Sequence, residues 1–435
     1  MSRPLAGFAP DLTILPARRA PLLELNLAVV TPMFGGGALA READRERPIS
    51  GKAVRGSLRF WWRACRGAGY TTVQDLFKAE AAIWGSTKCP AAVEVEVEIS
   101  DKGRNRDFDD WRSDKDMPRY GLFPFFPQPA RNGEPGKPAA TCLEGVRFHL
   151  RLTGPEAHCA DVEAAVWAWI MFGGVGARTR RGCGTLFCEE ARFRPTRDGL
   201  LPQAERHVLS GVRRLPVPLL AGGQVLVAKE IRQLETPKQS WATAVVAMQE
   251  FRQRPGFARN PGPQPNRPKR SRWPEADSIR DIADQAAGRR LTLLHPPAHP
   301  ARRFFPRADL GLPIVFHFIN EPYGETLQPL ATEQAQSRMA SPIILKALPL
   351  SAKTAVPMAI CLNAPHVWDA DAPCIGFKGR VARPHAEIDQ ISDPARNAQV
   401  PPMGGRTVRD AFWEFAKDEW GSTGSGWDGL EIMLP

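Results

Sequence analysis

Strands and helices alternate along residues 22–193 in the order β-α-β-β-α-β, which predicts an α+β fold of the ferredoxin-like type. Three observations carry this prediction. Residues 22–30, LLELNLAVV, form an apolar run typical of a buried strand, and residues 93–99, VEVEVEI, alternate strictly between apolar and acidic. Residues 146–152, VRFHLRL, alternate again and place Arg147, His149 and Arg151 on one polar face. We therefore expect antiparallel sheets with helices packed on one face.

The elements that follow the first strand are a loop and two helices. MFGGG, residues 33–37, can bring backbone N–H groups close to a ligand. Residues 47–69 have the spacing of an amphipathic helix. A second helix is predicted over residues 73–84, and Gly85 closes it.

A long irregular segment, residues 101–140, separates the strand at 93–99 from the strand at 146–152, and we expect these two strands to pair. Asp161 is placed to cap a very apolar helix that ends at Phe172. The loop GGVGARTRRGCG, residues 173–184, precedes a strand over residues 185–193. This order of elements is also that of RNA-recognition modules.

The second half of the chain indicates another domain of the same kind. Strands are predicted over residues 222–231, 312–319, 343–347 and 356–362. Helices are predicted over residues 238–252, 274–287 and 406–420. Residues 255–272, between the first two of these helices, form a basic, irregular segment. We predict a lead-in over residues 1–20, a first domain over 21–200, and a second, degenerate domain over 201–435.

The charge balance favours a polyanionic partner. The 435 residues include 58 Lys and Arg against 47 Asp and Glu, a net charge of +11, which suits a polyphosphate. No signal peptide or membrane-spanning run is visible, and the eight cysteines form no CxxC pair. We therefore expect a reduced, cytoplasmic protein without a cofactor or a metal.

The predicted helix over residues 47–69 separates an apolar stripe from a basic one. Val54, Leu58, Trp61 and Cys65 form the apolar stripe. Arg55, Arg59 and Arg66 are stacked beside it, with Trp62 between the two faces and Arg63 just beyond. Like charges on successive turns repel one another, so the arrangement favours a bound polyanion. An interleaved Trp offers a plane on which a base could stack. The alternative is a solvated amphipathic helix.

The glycine-rich loop, residues 173–184, combines glycines with three arginines. Glycines let the backbone approach a phosphate, and arginines bind phosphate through charge-assisted hydrogen bonds. The loop is neither a Walker loop nor a GxGxxG motif that opens a helix. Contact with a phosphate backbone is the favoured interpretation, and a flexible loop with solvated arginines is the alternative.

Catalytic motifs are not visible in the sequence. His295 and His299 lie among prolines, which argues against a metal pair on a helix. We interpret the Asp-rich stretches near residues 107–110 and 369–371 as solvated turns. His149 is the one histidine that we consider as a general base.

Several of these stretches together resemble the RAMP superfamily of CRISPR-associated proteins. They are TPMFGGG, RPISGKAVRGSLRFWWRA, IWGST and FGGVGARTRRGCGTL. The LRFWWRA core is particularly similar to the two-RAMP-domain subunits of type III-B (Cmr) effector complexes. RYGLFPF, SRWPEADSIR, GLPIVFHF and RMASPIIL extend the resemblance over most of the chain.

The resemblance implies two ferredoxin-like domains in a non-catalytic subunit that binds RNA within a ribonucleoprotein. Its partners would be the 3′ part of the guide RNA, the target RNA paired to it, and other RAMP subunits. The implied RNA-binding residues are Lys52, Arg55, Arg59, Trp62, Arg63, Gly173, Gly174, Gly176, Arg178, Arg180, Arg181 and Gly182. The second domain shows no comparable loop.

Two other functions remain open from the sequence. The first is a metal-independent RAMP-fold endoribonuclease that processes guide precursors, with His149 as its candidate base. The second is a scaffold whose basic face contacts acidic proteins; the glycine-rich loop and the interleaved Trp argue against it.

Overall fold

A computed structural model of the chain describes most of its residues. The described residues are 20–37, 39, 41–130, 135–229, 235–263, 269–286, 298–317, 324–329, 338–369, 375–379, 393–421 and 429–435. Apart from residue 20, the predicted lead-in lies outside them.

The described part of residues 20–207 forms alternating helices and strands. Helices α1 to α6 are Gly51–Arg66, Val73–Trp84, Phe108–Ser113, Arg119–Leu122, Cys159–Phe172 and Leu200–His207. Strands β1 to β7 are Pro21–Val29, Met33–Phe34, Glu94–Asp101, Arg104–Arg106, Cys142–Glu144, Arg147–Thr153 and Leu186–Cys188. The predicted strands at 22–30, 93–99 and 146–152 and both early helices are therefore confirmed.

Four of these strands form an antiparallel sheet in the order β3-β6-β1-β7. The strand that comes first in the chain thus lies between the third and the fourth, which is the ferredoxin-like arrangement. The register pairs Leu25 with Leu150 and Val97 with Leu150 across β6, so apolar side chains of three strands share one face. On β3 the valines face the core and the glutamates face outward, as predicted.

The excursion between β3 and β6 has more structure than the sequence indicated. Its strand β4 pairs with β5, which in turn pairs with β2. Trp111 on α3 is fully buried and donates from Nε1 to the Ala140 carbonyl at 2.8 Å. The buried side chains of this segment join a core that also contains Trp241 and Phe412 from the second half of the chain, which the charged and Pro-rich composition did not reveal.

The second half repeats the same order of elements. Helices α7 to α10 are Pro237–Gln253, Glu275–Ala286, Pro394–Asn397 and Val408–Gly421. Strands β8 to β14 are Leu219–Val227, Ile314–His317, Gly324–Pro329, Ile343–Pro349, Ala355–Asn363, Ile375–Gly379 and Leu430–Met433.

The strands of this half form two sheets. Strands β11-β12-β8-β14 form a four-stranded antiparallel sheet, again with the first strand between the third and the fourth. The sheet β13-β10-β9 is inserted between α7 and α10 in the chain. The tandem ferredoxin-like fold class is thus confirmed, and the second domain has the complete β-α-β-β-α-β topology.

The second sheet is buried on both faces. Ile344, Met358 and Ile360 join the core that contains α1 and α5, whereas Leu345 and Ala359 join the core that contains α7 and α10. Helices α1 and α5 consequently lie between the two four-stranded sheets. Burial on both faces explains why β11 is apolar at nearly every position, a pattern more typical of parallel sheets.

Two local predictions differ from the structure, and a third is not tested by it. Asp161 is not a cap: it lies inside α5, where it pairs with Arg66. The strand predicted over residues 185–193 is shorter, Leu186–Cys188. The domain boundary at residue 200 stays a prediction, but α6 begins there and packs on α5, with the ring of His207 stacked on that of Trp167.

Candidate nucleic-acid interface

Helix α1 begins at a capped N-terminus and buries its apolar stripe. The Ser50 hydroxyl accepts from the Ala53 N–H at 3.2 Å, which satisfies one of the free donors of the first turn. Val54, Leu58 and Trp61 are buried, as the spacing predicted. The helix orientation is therefore fixed by its core side.

The prediction that Trp62 offers a stacking plane is wrong. Its side chain is only 1% exposed, and its ring lies 6.1 Å from that of Tyr70. A helix packed against one layer buries one stripe, but α1 is covered by two layers and buries a wider arc. Trp62, at the margin of the predicted stripe, lies inside that arc.

The stacked arginines of α1 do not require a polyanion to offset their repulsion, so the argument from repulsion is wrong, whereas RNA contact by Arg59 and Arg63 stays a prediction. Arg59 Nε and Arg63 Nη1 bind the two carboxylate oxygens of Glu80 on α2, the second at 2.5 Å. Arg66 pairs with Asp161 on α5 at 2.8 Å. The acidic partners are distant in sequence, so the periodicity of the helix could not show them. Arg59 and Arg63 nevertheless keep about a third of each side chain exposed, 31% and 30%.

Lys52 and Arg55, by contrast, remain exposed and form no ion pair with any described residue. They occupy the first two turns of α1, where no acidic side chain is present. Arg45 and Arg47, in the preceding loop, are likewise exposed and unpaired within the described chain. The four cations surround the positive end of the helix macrodipole, which adds to their attraction for an anion.

The glycine-rich loop packs against the segment that follows β1. The Ala177 N–H donates to the Phe34 carbonyl at 2.7 Å, and the Gly184 N–H donates to the Pro32 carbonyl at 3.0 Å. The Thr31 hydroxyl donates to another carbonyl of the loop at 2.7 Å. The two glycine-rich segments predicted separately from the sequence therefore form one unit.

Most glycines of this loop serve contacts within the protein. A Cβ at Gly182 would lie 2.8 Å from the Leu345 carbonyl oxygen, and its φ of +78° favours glycine. Gly173 and Gly174 are buried beside Trp169 and exchange hydrogen bonds with it. The predicted close approach to a phosphate is therefore wrong for these three. Gly176 differs because it is exposed.

Arg178 lies beside the exposed part of the loop. It has a left-handed φ of +59°, and its Nε donates to the Gly121 carbonyl at 2.6 Å. Its guanidinium carbon lies 5.6 Å from the ring centroid of Phe123. The residue is half-buried, and burial lowers its pKa below the ordinary value.

Arg180 and Arg181 point toward the second domain instead of into solvent. Arg180 Nη1 donates to the Ser341 carbonyl, and Arg181 Nη1 donates to the Ile343 carbonyl at 3.0 Å. Burial lowers the pKa of each to about 10. Both arginines join the loop to the start of β11, a role that the sequence did not indicate.

None of the three loop arginines has a carboxylate partner among the described residues. Their hydrogen bonds go to neutral carbonyls, and Arg252 adds another positive charge near Arg181. Half-buried cations without a counter-charge carry a desolvation cost that a bound anion would offset. The loop is therefore a region of positive potential even though its arginines are partly anchored.

The α1 terminus and the glycine-rich loop form one continuous surface. A Cβ on Gly35 would lie 3.5 Å from Ala177 Cβ, and one on Gly36 would lie 3.2 Å from the Pro48 carbonyl, two residues before the cap of α1. The N–H groups of Gly35, Gly36 and Gly176 donate no hydrogen bond to a described residue. Free N–H groups beside unpaired cations are the donor set that a phosphate backbone requires.

The histidines offer little for catalysis at this surface. His149 lies on the open face of the first sheet, where its Nδ1 is 3.2 Å from Asn26 Oδ1 and Glu98 is its register partner. The sequence did not single out His366, whose Nδ1 lies 2.8 Å from Oδ2 of the buried Asp309. Asp309 also binds Arg409, so the carboxylate is already part of an ion pair.

The described residues include no group of three or more His, Cys, Asp or Glu side chains arranged to hold a metal ion. Within the same residues, no helix is both long and apolar enough to cross a membrane.

Comparison with known proteins supports the relationship suggested by the motifs. Residues 26–187 match the model of the RAMP superfamily. The CRISPR system Cmr subunit Cmr1-2 of Pyrococcus furiosus is 31% identical over 176 residues, which cover 37% of this chain and 91% of that protein. Subunit Cmr1-1 of the same organism is 27% identical over 154 residues, covering 33% of this chain and 41% of that protein.

Two solved structures are similar at low sequence identity. Apo Cmr1 from Pyrococcus furiosus matches with a TM-score of 0.46 and 16% identity, over 79% of this chain and 88% of that one. A chain of the type III-B Cmr-beta complex bound to cognate target RNA matches with a TM-score of 0.40 and 11% identity, over 84% of this chain and 97% of that one.

The family match over residues 26–187 includes α1 and the glycine-rich loop, and the match to Cmr1-2 extends over 91% of that protein at 31% identity. The chain therefore belongs to the RAMP superfamily, among the Cmr1 subunits of CRISPR systems.

Proposed function

We propose that this protein is a non-catalytic RNA-binding subunit of a type III-B Cmr effector complex. Its ligands would be the 3′ part of the guide RNA and the target RNA paired to it, and its neighbours would be other RAMP subunits. The proposal rests on membership of the Cmr1 family and on the surface formed by the α1 terminus and the glycine-rich loop.

The observation that carries the proposal is the set of unpaired cations around free N–H groups. Lys52 and Arg55 lack acidic partners in the described chain, and the loop beside them holds three arginines with the same lack. A surface that binds an acidic protein would not need the unpaired backbone N–H groups of Gly35, Gly36 and Gly176. A phosphate backbone uses both kinds of group.

The roles predicted for individual residues are revised accordingly. We assign direct phosphate contact to Lys52, Arg55, Gly176 and Arg178. Arg59 and Arg63, which share Glu80, contribute a net charge of one instead of two. Trp62, Gly173, Gly174 and Gly182 act by holding the surface in shape.

The test is RNA binding by the full chain over a salt series from about 50 to 200 mM, a range in which six phosphate contacts would lower affinity about 10³-fold. Arg55→Ala should reduce the slope of log K against log salt by about 0.7 if it neutralises one phosphate of a single strand. Lys353→Ala is the matched control, because Lys353 is an exposed, unpaired cation in the turn between β11 and β12. Equal slopes for the two variants would contradict the assignment of this surface.

Cleavage scored in the same samples, without added metal, tests whether the subunit is non-catalytic. Intact RNA is expected. Cleavage that disappears in His149→Ala or His366→Ala would instead support the endoribonuclease, since those are the histidines held by an Asn or an Asp side chain.

A further inference from the structure

The aromatic ring exposed nearest the glycine-rich loop belongs to Phe123, not to Trp62. Phe123 is 63% exposed and lies in the short 3-10 turn Phe123–Phe125 that follows α4. Its ring is covered on one side by the guanidinium of Arg178, at 5.6 Å. The position was not singled out from the sequence, where it is one of several phenylalanines in YGLFPFFPQP.

The backbone on both sides of Phe123 is firmly anchored. Leu122, immediately before it, is fully buried. Phe125, two residues later, stacks on Phe34 with ring centroids 4.3 Å apart and an interplanar angle of 12°. Phe34 belongs to the segment that packs on the glycine-rich loop. The exposed ring is therefore presented by a rigid support and does not belong to a free loop tip.

Arg178 ties this ring to the phosphate-binding surface. Its Nε donates to the Gly121 carbonyl, two residues before Phe123, and its chain neighbour Ala177 follows the exposed Gly176. The guanidinium has no carboxylate partner among the described residues. One side chain thus lies both over an aromatic face and beside free backbone donors.

We propose that Phe123 and Arg178 form a stacking site for an unpaired nucleobase of the bound RNA. A single exposed aromatic residue is ordinary on a protein surface, so exposure alone does not support the site. The combination of an anchored ring, an unpaired guanidinium and an adjacent phosphate-binding surface does, because single-stranded RNA presents bases and phosphates together. The inference rests on the proposed function and adds a base-recognition element to it.

The experiment measures binding of a single-stranded RNA that contains 2-aminopurine, whose fluorescence is quenched by stacking, to the full chain and to Phe123→Ala. We expect affinity to fall about 5- to 100-fold, in line with the loss of one base–aromatic stack. The slope of log K against log salt should not change, because Phe123 carries no charge. Part of the fluorescence quenching should be lost as well.

Phe77→Ala is the matched control, since Phe77 on α2 is 53% exposed and belongs to no described part of the surface. Phe123→Trp should retain or strengthen binding, because it keeps an aromatic face. The stacking site is overturned if Phe123→Ala binds RNA as tightly as Phe77→Ala does. It is also overturned if Phe123→Ala lowers the affinity for blunt duplex RNA as much as the affinity for single strands. Neither result would contradict the phosphate-binding surface. A wild-type chain that does not bind RNA overturns both.

Discussion

The buried Lys346 provides a pH test of how the two domains are joined. This residue lies on β11 with a fully buried side chain, and its Nζ donates to the Gly173 carbonyl at 2.8 Å and to the Ile170 carbonyl at 3.4 Å. It therefore caps the C-terminal end of α5 from the second sheet, without an ion-pair partner among the described residues. Burial lowers its pKa from the ordinary value of 10.5 to about 7.

The sign of the pH effect follows from which state binds more protons. Between pH 7 and 10.5 the unfolded chain keeps a protonated Lys346, whereas the folded chain loses that proton. Since the unfolded state binds more protons in this interval, the free energy of unfolding rises with pH. Each pH unit contributes about 1.4 kcal/mol, so the stability gained between pH 7 and 9.5 is about 3 kcal/mol.

The perturbation is Lys346→Met, which keeps the length of the side chain and removes the titrating group. Urea unfolding of wild type and variant at pH 7 and at pH 9.5 gives the four free energies required. The difference, wild type minus variant, should move by about 3 kcal/mol in favour of the wild type at the higher pH.

The comparison with the variant is needed because the buried cysteines make the free energy of unfolding fall as the pH rises, which is opposite to the effect of Lys346. Burial raises the pKa of Cys65 and Cys183 to about 12, which lowers stability at alkaline pH in both proteins and cancels in the difference. A difference that is the same at both pH values would show that Lys346 is charged throughout, held so by the α5 carbonyls, and would refute the reasoning.

Further expectations concern the ion pair on α1, a buried histidine and the loop glycines. Glu80→Gln should cost about 2 kcal/mol of stability in urea unfolding and strengthen RNA binding at low salt; weaker RNA binding would contradict this. Burial, with the nearby charges of Arg206 and Arg66, lowers the pKa of His207 to about 4. The unfolded chain therefore takes up the proton first, and stability should fall between pH 6.5 and 4 by about 2 kcal/mol, a fall that His207→Phe should abolish in thermal unfolding. Gly182→Ala should cost about 3 kcal/mol, whereas Gly56→Ala, exposed on α1 with nothing within 4 Å of the new Cβ, should be neutral or stabilising. Equal unfolding midpoints for the two glycine variants would refute this account.

Individual strands and helices could be predicted from the sequence because they depend on patterns among residues close together in the chain. The alternation in residues 93–99 and the apolar run at 22–30 produced β3 and β1 within a residue or two. Helix α2 has the predicted bounds, since Gly85 has a φ of +79° that ends it. The order of these elements was sufficient to predict the ferredoxin-like sheet. The complete second domain was harder to predict, because an inserted sheet separates its strands.

The state of each site residue was decided by contacts distant in sequence. Periodicity placed the arginines of α1 on one face, but only the tertiary structure brings Glu80 to Arg59 and Arg63. Trp62 is buried because two sheets cover α1, and no pattern within one helix records a second layer.

The sequence by itself determined the charge, the two glycine-rich segments and the basic helix that carries Lys52 and Arg55, since these depend on residue type and local spacing. Tertiary structure decided which arginines keep a free guanidinium and which aromatic ring reaches the surface. Both depend on desolvation and on partners that arrive from other elements.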